Sequence, residues 1–199
     1  QGVACYPRWK AGLYQHPEYS IFRQHPLDYL ESLEKCITTA LAELTEEQKD
    51  HVIGIGVDTT GSTPVPVDKN GTPLALLDEF AENENAMFFL WKDHAAAAEA
   101  DEINKLFRNN SENDYTKYQG DYSAEWYWAK ILYAVRHDEA IRQAAYTWEE
   151  HCDWMTGILC GETRPEKIYH SACAAGHKAL WHSEGKMEFS ACPNCTGLV

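Results

Sequence analysis

The sequence predicts an α/β fold, because short apolar runs typical of buried strands alternate with amphipathic helical segments. Residues 52–57 form one such run, rich in β-branched side chains, and residues 86–91 form another. Leucine and isoleucine side chains recur every three or four residues over 27–44, which predicts a helix that buries one side. With 199 residues, of which 44% are hydrophobic, the chain can form one substantial domain or two small ones.

Local signals mark the ends of the elements in the first part of the chain. A proline suits the first position of a helix that we predict over residues 26–42. Thr45 and Gln48 have capping-box spacing, which predicts one further helical turn before the strand at 52–57. We also expect residues 2–9 to continue a strand.

A hairpin is predicted after the strand at residues 52–57. Asn70 and Gly71 lie between the apolar segments 65–67 and 74–77. Because both residues tolerate a positive φ, this pair favours a tight turn between two antiparallel strands.

The second half of the chain is predicted to be mostly helical once the strand at residues 86–91 has ended. Its predicted elements are a helix over 94–107, an exposed loop over 108–120, a helix over 123–135 capped by Ser123, helices over 138–150 and 151–160, the latter stopped by Gly161, and an irregular stretch over 171–176. The alternation of these helices with the strands before them supports the α/β class.

Charge and cysteine content exclude several classes of protein. A net charge of −14 argues against a nucleic-acid partner, because phosphate binding needs a basic surface. No apolar run is long enough to cross a membrane, and the chain does not open with the pattern of a signal peptide. The seven cysteines are odd in number and scattered, which favours reduced thiols in the cytoplasm over a disulfide framework.

The hydroxyl-rich loop at residues 58–63, DTTGST, is the first candidate for a binding site. Threonine hydroxyls such as that of Thr60, with the backbone around Gly61, offer donors and acceptors at short range to a polyol. An ordinary polar turn that caps itself explains the same residues, and the local pattern alone favours that alternative.

A second candidate follows the strand at residues 86–91. The face of Trp91 can pack against the C–H side of a sugar, while the carboxylate of Asp93 accepts hydrogen bonds from hydroxyl groups. The alternative is that Trp91 belongs to the core and that Asp93 caps the next helix.

Lys178 is the third candidate, because it lies between small residues and an apolar run. Its ammonium group can donate to a ketose oxygen, or it can simply extend to solvent from the end of a strand.

Cys192 and Cys195 form a single CxxC pair, which is half of a zinc site, and no second pair accompanies it. We therefore predict no metal site.

Several segments in order resemble the FGGY family of carbohydrate kinases. The resemblance is carried by residues 54–76 and 90–94, and also by residues 6–12, 22–29, 79–83, 123–132 and 175–182. It covers residues 3–182, whereas residues 183–199 do not resemble the family and remain an unassigned tail.

The resemblance implies a ribonuclease-H-like fold, as in actin-like ATPases, with a mixed five-stranded sheet flanked by helices. The family's first β-hairpin with its phosphate loop, and its second domain, have no counterpart in the sequence. We therefore expect residues 1–182 to be an incomplete N-terminal sugar-binding domain. Without that hairpin, the strand at 52–57 would have an unpaired edge, so we expect homo-oligomers, or coverage by a segment such as residues 183–199.

The function that the resemblance implies is transfer of the γ-phosphoryl group of MgATP to the 5-hydroxyl group of L-ribulose. Gly61, Trp91, Asp93 and Lys178 match the family's sugar site, and Tyr122 matches it only through more distant relatives. The catalytic aspartate of the family has no match here, so we expect this chain alone to be inactive. Two alternatives are a non-catalytic sugar-binding module and a kinase for another ketose or polyol.

Overall fold

The computed structural model of the protein describes residues 1–109, 116–177 and 179–180. Its helices are α1 (Pro7–Lys10), α2 (Pro26–Leu41), α3 (Glu46–Asp50), α4 (Ala97–Asn109), α5 (Thr116–Gln119), α6 (Tyr127–His137), α7 (Glu139–Ala144), α8 (His151–Cys160) and α9 (Ala172–His177). Its strands are β1 (Gln15–His16), β2 (Ile21–Gln24), β3 (Pro64–Val67), β4 (Phe88–Phe89) and β5 (Thr147–Glu150).

The strands form two small sheets, and every pairing in them is antiparallel. One sheet has the order β1-β2-β4, and the other pairs β3 with β5. The predicted α/β class is confirmed. The described residues do not form one mixed five-stranded sheet. Their strands are short, and they pair in two separate sheets.

Four predicted helices formed, three of them where local signals are strong. Helix α2 matches the prediction over residues 26–42, and α8 ends at Gly161, which adopts a positive φ of 71°. Helix α3 has the predicted capping box, in which Thr45 and Gln48 satisfy each other's backbone N–H groups. The helix predicted over 94–107 is α4, shifted by a few residues.

The strand predicted at residues 52–57 is absent from the described structure. The segment is irregular, and its apolar side chains are exposed, with Ile53 at 100% and Ile55 at 68%. A strand needs a neighbour for its backbone groups, and the described residues supply none on either side. The β-branched composition of this segment was therefore insufficient by itself to form a strand.

Four further predictions were wrong in whole or in part. Residues 2–9 contain helix α1, which begins at a proline, instead of a strand. The predicted turn at Gly71 forms, with a single antiparallel bridge between Val67 and Pro73, but residues 74–76 form a 3₁₀ turn instead of a strand, and β3 makes its ladder with β5. The segment 138–150 divides into α7 and β5, and residues 172–177 are helical.

Other predictions were confirmed only in part. The strand predicted over residues 86–91 is the shorter β4, and the helix predicted from Ser123 begins instead at Tyr127. Of the predicted loop 108–120, residues 116–119 form α5, and residues 110–115 lie outside the described residues. The tail 183–199 and its CxxC pair also lie outside them.

The core that positions the candidate site lies between α2, α8, β3 and β4. Tyr29, Val65, Phe88 and Trp154 are buried there and contact one another as one cluster. A second cluster joins α4 to α6, with Tyr122 among its buried members. No helix within the described parts of the chain is long and apolar enough to cross a membrane.

Candidate functional site

A groove of about 570 Å³ lies beside the core cluster of α2 and α8. The hydroxyl-rich loop contributes Asp58, Thr59 and Thr60 to its wall, and the segment after β4 contributes Trp91 and Lys92. Two candidates that were predicted separately, the loop and Trp91, therefore line the same groove. Carboxylate, hydroxyl and ammonium groups beside aromatic faces can bind a polyol.

Hydrogen bonds hold the loop against β5 and against the end of β4. The backbone N–H of Thr63 donates to Glu150 Oε1 at 2.6 Å. Lys130, on α6, is fully buried, and its Nζ donates to the carbonyl oxygens of Ser62 at 2.5 Å and Leu90 at 2.8 Å. One lysine thus joins the loop to the segment that carries Trp91, which fixes the two walls of the groove relative to each other.

Two residues on the rim combine aromatic and cationic character. Trp91 is 51% exposed, so its face is accessible to a ligand rather than packed in the core. The ammonium group of Lys92 lies 4.6 Å from the ring centroid of Trp9 and 4.3 Å from that of Phe22. These cation–π contacts orient the Lys92 head group at the groove.

Asp93 does not line the groove; it is buried behind it. Its carboxylate forms an ion pair with the buried Arg23 and accepts hydrogen bonds from the N–H groups of Phe22 at 2.6 Å and Ala95 at 3.2 Å. Burial of both partners makes this pair costly to break. The structure therefore gives Asp93 a role in connecting β2 to the segment after β4. Its hydrogen bond from Ala95 resembles the helix cap that was predicted as the alternative role of Asp93.

Tyr122 also lies away from the groove, in the core between α4 and α6. Its hydroxyl oxygen accepts a hydrogen bond from the Trp128 N–H at 3.0 Å, and its backbone pairs with the side chain of Asn104. Burial raises the pKa of Tyr122 well above its usual value, so the hydroxyl stays neutral.

Gly61 is exposed and adjoins Thr60, whose hydroxyl lies 3.0 Å from that of Thr63. Lys178 lies outside the described residues. Its neighbour Ala179 lines a second cavity of about 450 Å³ together with Glu150. Because Glu150 also binds Thr63, this second cavity lies close to the loop that contains Gly61.

Gln24 and His151 were missed by the sequence predictions, although both line the groove. They are 5% and 6% exposed, and neither Gln24 Nε2 nor either ring nitrogen of His151 has a hydrogen-bond partner. Gln24 is at the end of β2 and His151 at the start of α8, and only the fold brings these two ends together. No sequence motif therefore marks the two residues as part of the groove.

No group of three or more His, Cys, Asp or Glu side chains with suitable geometry occurs among residues 1–109, 116–177 and 179–180. His170 Nδ1 lies 3.3 Å from Asp153 Oδ2 and 3.6 Å from Glu149 Oε2, which is an ion-pair cluster.

Comparison with known proteins connects this chain to the sugar kinases. It is 51% identical over 181 residues to a ribulokinase of Vibrio parahaemolyticus, which covers 90% of this chain and 32% of that protein. Ribulokinases of Bacillus licheniformis and Shouchella clausii are each 36% identical, over 81% and 89% of this chain and 28% and 30% of their own lengths.

The resemblance predicted from the sequence is thereby confirmed, and the chain is a relative of the ribulokinases in particular. It spans about a third of the length of these curated relatives. No protein-family model matches the chain.

Proposed function

We propose that this chain forms part of the sugar site of a ribulokinase, an enzyme that uses ATP to phosphorylate L-ribulose to L-ribulose 5-phosphate in L-arabinose catabolism. The observation that supports it most is that the loop at residues 58–60 and Trp91 line one groove, in a chain related to ribulokinases over most of its length. Such a groove offers polar groups to hydroxyls and an aromatic face to the carbon chain.

In this proposal Thr60, Gly61, Trp91 and Lys178 contact the sugar. Asp93 supports the groove from behind, where it is buried, whereas Tyr122 lies in the core between α4 and α6 and is assigned to the site through the resemblance alone. Residues 1–182 would correspond to the N-terminal sugar-binding domain of a cytoplasmic enzyme with the ribonuclease-H-like fold. Self-association through the exposed segment 52–57 is part of the same proposal.

The described residues contain no group of three metal-binding side chains, and the sequence has no GxxxxGK[ST] phosphate loop. We therefore assign no residue of this chain to the nucleotide, to Mg²⁺ or to the catalytic base. The contribution that we assign to the chain is to bind and orient the sugar.

Two measurements on the 199-residue chain test this proposal. In calorimetry, L-ribulose should bind, and Trp91→Ala should weaken binding about tenfold, which is roughly 1.4 kcal/mol. Tyr169→Ala is the matched control, because Tyr169 is exposed and does not line the groove. Tighter binding of another pentulose or a pentitol would favour the kinase of another ketose or polyol.

The second measurement is ADP release with MgATP and L-ribulose. We expect no turnover, because we assign no residue of the chain to the nucleotide, and a phosphoryl donor that is not aligned with the acceptor does not react at a useful rate. Turnover of about one per second or faster, an ordinary rate for a kinase, would contradict this assignment.

A further inference from the structure

The floor of the groove contains two buried polar side chains whose nitrogens have no partner. Only 5% of the surface of Gln24 and 6% of that of His151 is exposed. Gln24 Nε2, His151 Nδ1 and His151 Nε2 make no hydrogen bond. Burying such groups without partners is unfavourable, and native proteins do so rarely. Their position at a groove points to a ligand.

Packing alone fixes the ring of His151. Its centroid lies 3.9 Å from that of Tyr29 and 5.1 Å from that of Phe88. Because aromatic rings hold the imidazole in place, neither nitrogen is needed for its orientation. Burial lowers the pKa of His151 to about 3, so the ring is neutral and carries one N–H donor and one acceptor.

Gln24 is held by the backbone of its strand. It pairs with Phe88 in the ladder between β2 and β4, so Phe88 adjoins both Gln24 and His151. The Nε2 group of Gln24 is a donor only. Together the two side chains supply donors and an acceptor, which match hydroxyl groups because each hydroxyl both donates and accepts.

We propose that Gln24 and His151 are sugar-binding residues that hydrogen-bond hydroxyl groups of a polyol or ketose lying in this groove. The inference rests on the proposed function, and it adds two residues to the loop and Trp91. The sugar would have its hydroxyls toward Gln24 and His151 and part of its carbon chain against Trp91.

The test compares Gln24→Met and His151→Phe with the unchanged chain. Each replacement keeps the approximate shape and removes the nitrogens. Without sugar, the Tm of each variant should equal or exceed that of the unchanged chain, because an unpaired buried group has been removed. With L-ribulose, each variant should bind at least tenfold more weakly and lose most of the sugar-induced rise in Tm.

The matched controls are Gln143→Met and His137→Phe, which change the same residue types at exposed positions. Both should bind sugar as the unchanged chain does. A panel of pentuloses and pentitols accompanies L-ribulose. If the unchanged chain binds another member of the panel and the two variants lose that binding, the inference stands and L-ribulose is the wrong substrate.

If L-ribulose binds all variants equally, the inference is wrong while the proposed function stands. Binding of no sugar or polyol also overturns the inference. A second measurement applies if a variant fails to fold. In the unchanged chain, the ¹⁵N chemical shifts of the His151 ring should move on saturation with sugar, and unmoved shifts would overturn the role of His151.

Discussion

Burial controls the charge of His151, and this has a consequence for stability. Because its folded-state pKa is about 3 against an ordinary 6.5, the unfolded chain binds the proton more readily. The stability that the neutral ring contributes is present above pH 6.5 and is lost as the pH falls toward 3. We expect a loss of a few kcal/mol on going from about pH 7 to about pH 4.

Urea unfolding as a function of pH measures this effect. His151→Phe should lose less stability than the unchanged chain over the same range, since its ring does not titrate. His137→Phe is the control and should retain the full dependence, because His137 is exposed. Equal losses in His151→Phe and the unchanged chain would contradict the expected charge state.

Glu149 shows the opposite dependence on pH. Its side chain is buried, Oε2 has no hydrogen-bond partner, and burial, with Asp153 nearby, raises the pKa of Glu149 despite the opposing effect of His170. The folded state therefore favours the protonated carboxyl, and stability falls as the pH rises from 4.5 through about 7. Glu149→Gln mimics the protonated form, so it should be more stable than the unchanged chain above pH 7, by about 3 kcal/mol.

Thermal unfolding at pH 5 and pH 8 separates this pH-dependent gain from a change in stability that is the same at every pH. The gain in Tm should appear at the higher pH and be small at the lower. Glu43→Gln, at an exposed position, should change neither value. A loss of stability in Glu149→Gln at pH 8 would show that the carboxylate is needed in its charged form.

Among the elements, the turn after β3 depends on one glycine. Gly71 has a φ of +78°, and its N–H donates to the carbonyl oxygen of Asp68 at 3.0 Å. A Cβ atom at Gly71 would lie 1.7 Å from the carbonyl oxygen of Thr163. Gly71→Ala should therefore lower the free energy of unfolding by roughly 2–4 kcal/mol, through backbone strain and overpacking.

Gly12→Ala is the matched control for this prediction. Gly12 has a similar φ of +76°, but a Cβ atom there would meet nothing within 4 Å. Its cost should be about 1 kcal/mol, from the backbone conformation alone. Equal losses in the two variants, measured by urea unfolding, would mean that the contact with Thr163 contributes nothing.

For the whole molecule, the exposed segment 52–57 predicts self-association. None of its residues after Val52 donates or accepts a backbone hydrogen bond within the described structure, and Ile53 and Ile55 are highly exposed. Two copies that pair antiparallel about an axis at Ile55 would align Ile53 with Val57 of the other copy. This register buries the β-branched side chains together and keeps Asp50 and Asp58 from facing each other.

Light scattering coupled to size-exclusion chromatography tests this expectation. The unchanged chain should be dimeric or larger, and Ile55→Asp should be monomeric, because the register would bring two carboxylates together. Val3→Asp should leave the association unchanged, since Val3 is exposed outside the segment. A monodisperse monomer of the unchanged chain would show that the segment does not recruit a second copy.

The parts of the structure that sequence reasoning predicted well depend on neighbours in sequence. Helix α2 follows from its proline and its periodic leucines, and α3 follows from Thr45 and Gln48. The end of α8 follows from Gly161, which can adopt a positive φ without strain. For the candidate site, the loop and Trp91 were predicted as separate candidates, and only the structure shows that they line one groove; the sugar contacts of all these residues stay predictions.

The sequence by itself determined the α/β class, the turn at Gly71 and the relation to the sugar kinases, since each depends on residue types at fixed spacing. Only the tertiary structure decided that residues 147–150 pair with β3, that residues 52–57 stay exposed, and that Gln24 and His151 meet at one groove. The physical reason is that a strand or a binding site is completed by partners far away in the chain. Burial and pairing at that distance leave no periodic pattern in the sequence.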